Sequence, residues 1–354
     1  MKQEVDVIIV GMGLAGSVLA LKLLKEKKTF VVVNQFGITK SSEVAAGIYN
    51  PILAKRFKLS QNAAEIYPFV AENYLNFEKL LSVQFLHQTP IYYVIESKEA
   101  FNNWCILAEN ETFQAFVEIV DNDSRFKSFE IPFGLLKVKH SGWVNIPVLL
   151  NALKHELQSN GQYLDEEFVI QDLKIDKKVS YNNIEANKIV FCEGVGIKNN
   201  PLTQHIELNP AKGEVLIVEN KDALNDFIIQ QGVFMVNIDN NKYKIGSNFE
   251  WKQLDYTVNE YVKDELLQKL LKFFPKEVIV KNHEAGIRPS SLDRKPIIGA
   301  LKKHDNIFVF NGLGSKGVAL APHYCNMLFD AMFQQSEIEP SVCVSRFEEK
   351  KKTI

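Results

Sequence analysis

Apolar and polar positions divide the start of the chain into a strand, a helix and a second strand. Residues 5–10 form an apolar, β-branched run interrupted only by Asp6, which is typical of a buried parallel strand. Strong helix formers follow over 17–25, and residues 30–33 are again apolar and β-branched. This order of elements predicts a βαβ unit and therefore an α/β fold.

A GxGxxG motif lies between the first strand and the first helix. Gly11 permits the tight turn, Gly13 leaves the backbone open to a pyrophosphate, and Gly16 lets the helix pack close to the strand. The positive end of the helix then faces the phosphates. The position between strand and helix indicates a dinucleotide site, and the alternative is a glycine-rich turn of another α/β protein.

The second strand ends at Asn34, where dinucleotide-binding folds usually carry Asp or Glu to hold the ribose hydroxyls. An amide can still donate and accept hydrogen bonds. Because it does not repel a 2′-phosphate, this position alone does not exclude NADP.

The same reading of periodicity covers the rest of the chain. It predicts helices at 62–83, 98–114, 148–158, 259–274 and 318–333, and strands at 91–95, 168–170, 173–175, 188–192, 234–238, 243–245 and 307–310. Two of these strands run into glycine-rich segments, at 193–196 and 311–317. The second segment precedes a helix, which predicts another helix N-terminus able to face an anion.

Size and composition narrow the class of protein. A chain of 354 residues favours two domains, and a net charge of −2 argues against a broad nucleic-acid-binding surface. The four cysteines are far apart and show no metal-ligand spacing, so we expect no metal. Without a long apolar run we expect no membrane span, and the default location is the cytoplasm.

Five segments resemble the superfamily of FAD-dependent D-amino-acid oxidases and glycine oxidases. They are VDVIIVGMGLAGSVLALKL, SSEVAAGIYNP, SGWVNIPVLLNAL, EAGIRPSSLDRKPIIGA and NGLGSKGVALAP, in the family's order and along nearly the whole chain. The combination of AAGIYNP, SGWVNIP and GLGSKG is most similar to the oxidase half of the bifunctional enzymes that modify the tRNA wobble uridine. The methyltransferase half of those enzymes has no counterpart in this sequence.

The resemblance implies an FAD-binding, Rossmann-like α/β domain with an interleaved α+β substrate domain. The FAD domain would consist of 1–60, 135–210 and 280–354, and the substrate domain of 61–134 and 211–279. The implied FAD contacts are Gly11, Gly13, Leu14, Ala15, Gly16, Asn34, Gln35, Ser41, Ser42, Ala46, Gly47, Ile48, Ile170, Gly194, Gly314, Ser315, Lys316, Gly317 and Val318.

Two cations are the catalytic candidates that the resemblance implies. In glycine-oxidase-like members the arginine of GxRPxxxD binds the substrate carboxylate, and Arg288 matches that position. Lys316 would stand beside the flavin. The alternatives are a structural ion pair of Arg288, with Asp293 as one partner, and a solvated loop position for Lys316. No cysteine lies next to either motif, so we expect non-covalent FAD.

The leading functional hypothesis is an FAD-dependent oxidase or dehydrogenase acting on a small amino acid or N-substituted glycine, with oxygen or another electron acceptor. A second is oxidative trimming of a carboxymethylamino group on a modified tRNA uridine, which predicts a basic rim around the pocket. A third is a non-catalytic flavin-binding protein. An NAD(P)-dependent dehydrogenase is a fourth, and it leaves the later glycine loops without a role.

Overall fold

A computed structural model describes residues 2–35, 41–221 and 226–348. Its first sheet has a parallel core in the order Tyr163–Leu164, Phe30–Val33, Gln3–Val10, Ile184–Phe191 and His304–Asn311. Antiparallel strands extend it beside His304–Asn311 and beside the first half of Ile184–Phe191; they are Ile297–Leu301, Val179–Tyr181 and Leu173–Ile175.

Both faces of the first sheet are buried. Val7 and Ile9 pack in the core under the helices, whereas Ile8 and Val10 pack in a second core on the opposite face. Successive side chains of a strand point to opposite faces, so a continuous apolar run is required here. The βαβ prediction for the N-terminus is confirmed.

The second sheet is mixed and has eight strands. Its order is Ile279–Arg288, Ala211–Glu219, Lys242–Gly246, Val233–Asp239, Ile228–Gln231, Ile91–Val94, Leu135–Val138 and Val117–Val120. Only the pairing between Ile228–Gln231 and Ile91–Val94 is parallel. The helix Glu260–Leu271 covers one face with Leu266 and Leu270. With the first sheet, this confirms the predicted fold class of an α/β domain with an interleaved α+β domain.

Two small sheets join these layers, one of Ile48–Tyr49, Gly142–Val144 and Leu86–His87, the other of Ile52–Leu53 and Lys58–Leu59. The α-helices are Leu14–Lys25, Ser41–Val44, Ala63–Leu81, Lys98–Ala108, Glu111–Gln114, Ile146–Ser159, Glu260–Leu271 and Gly317–Phe333. Short 3₁₀ turns are Ala54–Arg56, Ser124–Phe126, Ile170–Asp172, Gly194–Asn199, Gly314–Lys316 and Val344–Phe347. In the described part of the chain, no helix is both long and apolar enough to cross a bilayer.

The predicted helices are present, with the one at 98–114 divided into Lys98–Ala108 and Glu111–Gln114. The strand prediction at 168–170 is wrong. Phe168 and Val169 are extended without a strand partner, and a 3₁₀ turn begins at Ile170. Val169 is 41% exposed and borders a cavity, so its β-branched side chain is not evidence of a buried strand.

The chain passes between the sheets several times. Leu135–Val138 and most of Ile279–Arg288 fall in the segments assigned above to the FAD domain, yet both strands pair in the second sheet. The proposed domain limits stay a prediction. The ends of these two strands indicate that the chain leaves the second sheet close to residues 138 and 288.

Candidate functional site

Residues of both large sheets line one cavity of about 1180 Å³. This volume exceeds the ~300–1,000 Å³ typical of small-molecule sites, which leaves room for a dinucleotide and a small second ligand. Of the residues proposed from the sequence, Gly16 alone does not border it. Those that border it are Gly11, Gly13, Leu14, Ala15, Asn34, Gln35, Ser41, Ser42, Ala46, Gly47, Ile48, Ile170, Gly194, Arg288, Gly314, Ser315, Lys316, Gly317 and Val318.

We call the part of the cavity around residues 11–15 the glycine-loop end. Gly11 has φ +93°, and a Cβ there would lie 2.7 Å from the carbonyl oxygen of Cys192. A Cβ on Gly16 would lie 1.9 Å from the carbonyl oxygen of Gly11. Gly16 therefore acts from behind the cavity wall, by letting the helix approach the turn.

The helix Leu14–Lys25 begins at the cavity wall. Its N-cap, Gly13, makes no side-chain cap hydrogen bond, and the N–H of Leu14 donates to Oγ of Ser42 at 3.0 Å. A hydroxyl oxygen thus already accepts from a helix terminus whose N–H groups and positive dipole favour an anion. This geometry suits a pyrophosphate oxygen beside Ser42.

Asn34 lies at the end of its strand with its side chain engaged. Oδ1 accepts from the N–H of Met12 at 2.9 Å, and Nδ2 donates to the hydroxyl of Tyr163 at 2.9 Å. The Tyr163 hydroxyl donates in turn to the carbonyl oxygen of Asn34. The amide therefore holds the glycine loop in place, a structural task that its position in the motif did not suggest.

A second backbone turn enters the cavity at residues 46–48. Gly47 has φ +69°, and a Cβ there would lie 1.9 Å from the carbonyl oxygen of Val144. The N–H of Val144 donates to the carbonyl oxygen of Gly47 at 3.0 Å. Close packing on the SGWVNIP segment thus explains the glycine in AAGIYNP.

The turn after the central strand is tied to the last strand of the parallel core. Gly194 has φ +56°, and its carbonyl oxygen accepts from Nδ2 of Asn311 at 2.9 Å. Next to it, Glu193 borders the cavity and its carboxyl accepts from Nδ2 of Asn200 at 3.0 Å. Burial raises the pKa of Glu193 to about 7. Sequence reasoning missed this carboxyl because a single Glu after a strand carries no signal.

We call the region around Arg288 the arginine end. Arg288 is the last residue of Ile279–Arg288, and Nη2 donates to Oγ of Ser247 at 2.7 Å and to the carbonyl oxygen of Asn248 at 3.3 Å. Nη1 donates to the carbonyl oxygen of Lys212 at 3.2 Å. The guanidinium lies 4.3 Å from the ring centroid of Phe249. All of these contacts are to neutral groups.

The structure does not place Arg288 in an ion pair with Asp293. Asp293 pairs with Arg346 instead, at 2.8 Å. Among the described residues, no carboxylate lies within 4.0 Å of the Arg288 guanidinium. Burial lowers the pKa of Arg288 to about 10, so the group stays charged at neutral pH.

Lys316 is partly buried in the cavity wall. Nζ donates to Oγ of Ser60 at 3.1 Å, and the Tyr67 hydroxyl also donates to Ser60. Burial, followed by the charge of Arg56, lowers the pKa of Lys316. Lys316 is therefore not a freely solvated loop lysine, and it precedes the helix Gly317–Phe333 at the cavity wall.

Several lining residues from the second sheet and the loop after Lys242–Gly246 gave no signal in the sequence, since they belong to no motif. They are Gln230, Phe234, Ser247, Phe249, Leu254 and Tyr256. Gln230 pairs with Phe234, and Phe234 pairs with Gly246, so strand pairing brings this group to the cavity. In the parts of the chain that are described, no His, Cys, Asp and Glu side chains cluster as a metal site would require.

The cavity fits FAD on three observations. Two helix N-termini border it, that of Leu14–Lys25 with a hydroxyl acceptor and that of Gly317–Phe333 beside Lys316. The turns at Gly11, Gly47 and Gly194 bring bare backbone to its wall in left-handed conformations. Its volume exceeds that of a small-ligand site.

Comparisons with known proteins agree with this assignment. The sequence profile of the family described as FAD dependent oxidoreductase matches residues 6–331. Glycine oxidase of Pseudomonas aeruginosa is 22% identical over 351 residues, and the alignment covers 92% of this chain and 94% of that protein. The crystal structure of glycine oxidase from Geobacillus kaustophilus has a TM-score of 0.79 at 18% identity and covers 97% of this chain and 99% of its own.

A second kind of relative is longer. The tRNA 5-methylaminomethyl-2-thiouridine biosynthesis bifunctional protein MnmC of Legionella pneumophila is 23% identical over 315 residues. The alignment covers 85% of this chain but 46% of that protein, so the chain spans about half its length. At these identities the family is clear and the substrate is not specified.

Proposed function

The chain belongs to the family of FAD-dependent oxidoreductases, and we propose that it oxidises the carbon–nitrogen bond of a small amino acid or an N-substituted glycine. Its cofactor is FAD, and the nineteen residues named from the sequence as FAD contacts are proposed as its site. Arg288 would bind the substrate carboxylate, and Lys316 would act beside the reacting centre.

The observation that carries this proposal is the charge state of the arginine end. Arg288 contacts neutral oxygens and a ring, and the described residues offer it no counter-charge. A guanidinium in a cavity is stabilised by a planar carboxylate that accepts two parallel hydrogen bonds. A substrate carboxylate would supply the missing negative charge.

The reaction requires little acid–base machinery from the protein. When bound, the flavin accepts a hydride from the carbon that carries the amine. Loss of hydride from a neutral amine leaves an iminium ion, which water hydrolyses to an oxo acid and a free amine. The task of the side chains is therefore orientation, and Arg288 provides it by fixing the carboxylate next to the reacting carbon.

A second source of positive charge borders the cavity around Lys316. The N-terminus of Gly317–Phe333 and the ammonium group of Lys316 both border the cavity. A fixed dipole and a nearby cation stabilise negative charge more effectively in a site shielded from water. Together they would stabilise the negative charge that collects in this part of the cavity when a hydride arrives.

Anaerobic mixing with a panel of amines tests the proposal. The purified protein should contain flavin, and at least one amine with a carboxylate on its α-carbon should bleach the oxidised spectrum. The same amine lacking the carboxylate should bleach it at least 100-fold more slowly, since the contact to Arg288 is missing. A spectrum unchanged by every amine of the panel, glycine and N-methylglycine included, would refute the proposal.

A second candidate function is oxidation of a carboxymethylamino group carried by a modified uridine of tRNA. The hairpin Ile52–Leu59 has exposed Lys55, Arg56 and Lys58, and its Ile52 and Leu53 border the cavity. In the segment that follows Lys242–Gly246, the rings of Phe249 and Trp251 stack on each other, and both are about half exposed. Phosphate-binding cations with an aromatic platform are the usual elements of single-stranded RNA recognition.

The two candidates differ in their dependence on salt. Binding of tRNA should weaken steeply between 50 and 200 mM salt, whereas turnover of a small amine should change little. Replacing Lys55 and Lys58 by Ala should weaken tRNA binding and leave turnover of the small amine unchanged. If tRNA binds no better than DNA of equal length, or binds equally at all salt concentrations, this second candidate is excluded.

A further inference from the structure

The side chain of Arg288 lies across the neighbouring strand at Gly213. In the register of the two strands Arg288 is opposite Ala211, and Gly213 is opposite Gly286. A Cβ on Gly213 would lie 1.8 Å from Nη2, 2.3 Å from Cζ and 2.6 Å from Nη1 of Arg288. The guanidinium therefore occupies the space that any other side chain at position 213 would fill.

The backbone at Gly213 does not itself require glycine. Its φ is not in the left-handed region, and it lies inside the nine-residue strand Ala211–Glu219. Glycine in the middle of a strand is unfavourable because it loses more backbone entropy on folding and contributes no side-chain packing. The close approach of the guanidinium is the contact that explains glycine here.

The other contacts of the guanidinium complete a slot made of Gly213 and Phe249 with three oxygen acceptors. The Phe249 ring lies 4.3 Å from Cζ, and the acceptors belong to Lys212, Ser247 and Asn248. A guanidinium carries five N–H donors in one plane, and the slot uses some of them. Among the contacts of the described residues, Nη2 donates twice and Nη1 once, so Nε–H and one Nη1–H are left to donate to a carboxylate.

We propose that Gly213 is a positioning residue, which sets where the Arg288 guanidinium stands and thereby where the substrate carboxylate is held. This rests on the proposed function of Arg288. The residue does not touch the substrate carboxylate in this scheme; it acts through Arg288. A methyl group at position 213 displaces the end of a flexible side chain and leaves the strand in place.

The test compares Gly213→Ala, Arg288→Ala and the double variant, each purified with its flavin. Titration with acetate, followed by the flavin absorbance spectrum, measures carboxylate binding without turnover. Gly213→Ala should contain as much flavin as the parent and melt at a similar temperature. Its dissociation constant for acetate and its KM for the amino-acid substrate should rise about 30-fold, with a smaller change in kcat.

The double variant separates positioning from a general structural effect. If Gly213 acts through the guanidinium, adding Gly213→Ala to Arg288→Ala should change acetate binding by less than twofold. The proposal would be overturned if Gly213→Ala lost its flavin. It would also be overturned if the fold-changes in acetate binding of the two single variants multiplied in the double variant.

Failure of this inference is distinguishable from failure of the proposed function. If acetate binds Gly213→Ala as tightly as the parent but Arg288→Ala weakly, positioning by Gly213 is wrong and the carboxylate site stands. If acetate binds Arg288→Ala as tightly as the parent, the proposed role of Arg288 is wrong, and positioning by Gly213 is overturned with it.

Discussion

A Cβ on Gly16, at the glycine-loop end, would lie 1.9 Å from a backbone carbonyl oxygen, and a Cβ on Gly213, at the arginine end, would lie 1.8 Å from Nη2 of Arg288. The distances are nearly equal, but the obstructed atoms differ in mobility. The carbonyl of Gly11 belongs to a backbone turn that neighbouring buried strands hold in place. The guanidinium, in contrast, is the end of a flexible side chain.

This difference separates the two tasks of the cavity. At the glycine-loop end the wall is backbone, so a change of side chain disturbs the fold before it disturbs the ligand. At the arginine end the obstructed group is the end of a side chain, so a change there alters which substrate is held. We therefore expect substitutions at the glycine-loop end to reduce binding of the cofactor and substitutions at the arginine end to reduce binding of the substrate.

The largest effect should come from Gly16→Ala. The added methyl group meets the carbonyl oxygen of Gly11 at 1.9 Å and Cβ of buried Cys192 at 3.3 Å. Forced overpacking of this kind destabilises by about 3 kcal/mol or more. The variant should bind little flavin and melt roughly 5 °C or more below the parent, measured by flavin content and thermal unfolding.

A matched control for Gly16→Ala is Gly161→Asn. Gly161 has φ +66°, but a Cβ there meets nothing within 4 Å, and Asn tolerates the left-handed region. Flavin content should match that of the parent. Normal flavin content in Gly16→Ala would contradict the view that this end is fixed by backbone packing.

The next effect should be that of Arg288→Ala. We expect kcat/KM for the amino-acid substrate to fall about 100- to 1,000-fold, or roughly 3–4 kcal/mol, because a buried carboxylate loses its charged partner. Flavin content should not change. Arg125→Ala, which breaks an exposed pair with Asp123, is the control and should retain full activity. If Arg288→Ala lost as much flavin as Gly16→Ala, the two ends of the cavity would not differ in the way described.

Glu193 predicts a pH dependence at the glycine-loop end. Its pKa rises on folding from 4.5 to about 7, because burial disfavours the charged carboxylate. The folded state then binds more protons than the unfolded state between these values, so this contribution to stability is full below pH 4.5 and is lost as the pH rises to 7. The loss amounts to about 2–3 kcal/mol.

The variant Glu193→Gln isolates this contribution, since it keeps an oxygen acceptor for Asn200. Thermal unfolding from pH 5 to pH 8 should show the parent losing stability relative to the variant. Parallel curves for the two proteins would show that Glu193 does not titrate as its burial requires.

A smaller effect is expected for Lys316→Met, which removes a cation from the cavity wall. The two-electron reduction potential of the bound flavin should fall by about 30 mV, equivalent to ~1.4 kcal/mol. Spectroelectrochemical titration measures it. An unchanged potential would assign Lys316 to the hydrogen bond with Ser60 alone.

The smallest effect should be that of Ser42→Ala. Loss of the hydroxyl beside the Leu14 N–H removes one acceptor at the helix N-terminus, worth about 1 kcal/mol. The dissociation constant for FAD should rise about fivefold, measured by fluorescence titration of the apoprotein. A change of a hundredfold or more would mean that Ser42 holds the cofactor itself rather than the loop.

The N-terminal unit illustrates how far local pattern reaches. Its strand, turn and helix follow from apolar periodicity and three glycines, and each is where the pattern predicts it. Asn34 shows the limit: the ribose contact that its motif position predicts stays a prediction, and the hydrogen bonds of its amide to Met12 and Tyr163 are seen only in the structure. The strand predicted at 168–170 failed because exposure beside a cavity is invisible in composition.

The sequence by itself determined the α/β class and the glycine loops, because turns and strand periods are local properties, and its resemblance to a known family implied Arg288 and Lys316 as the chemical candidates. Only the tertiary structure decided that Asp293 pairs with Arg346, that Arg288 lies over Gly213, and that Phe249 covers it. These contacts arise from strand register and loop crossing between segments dozens of residues apart, and no local pattern encodes which distant residue a side chain will meet.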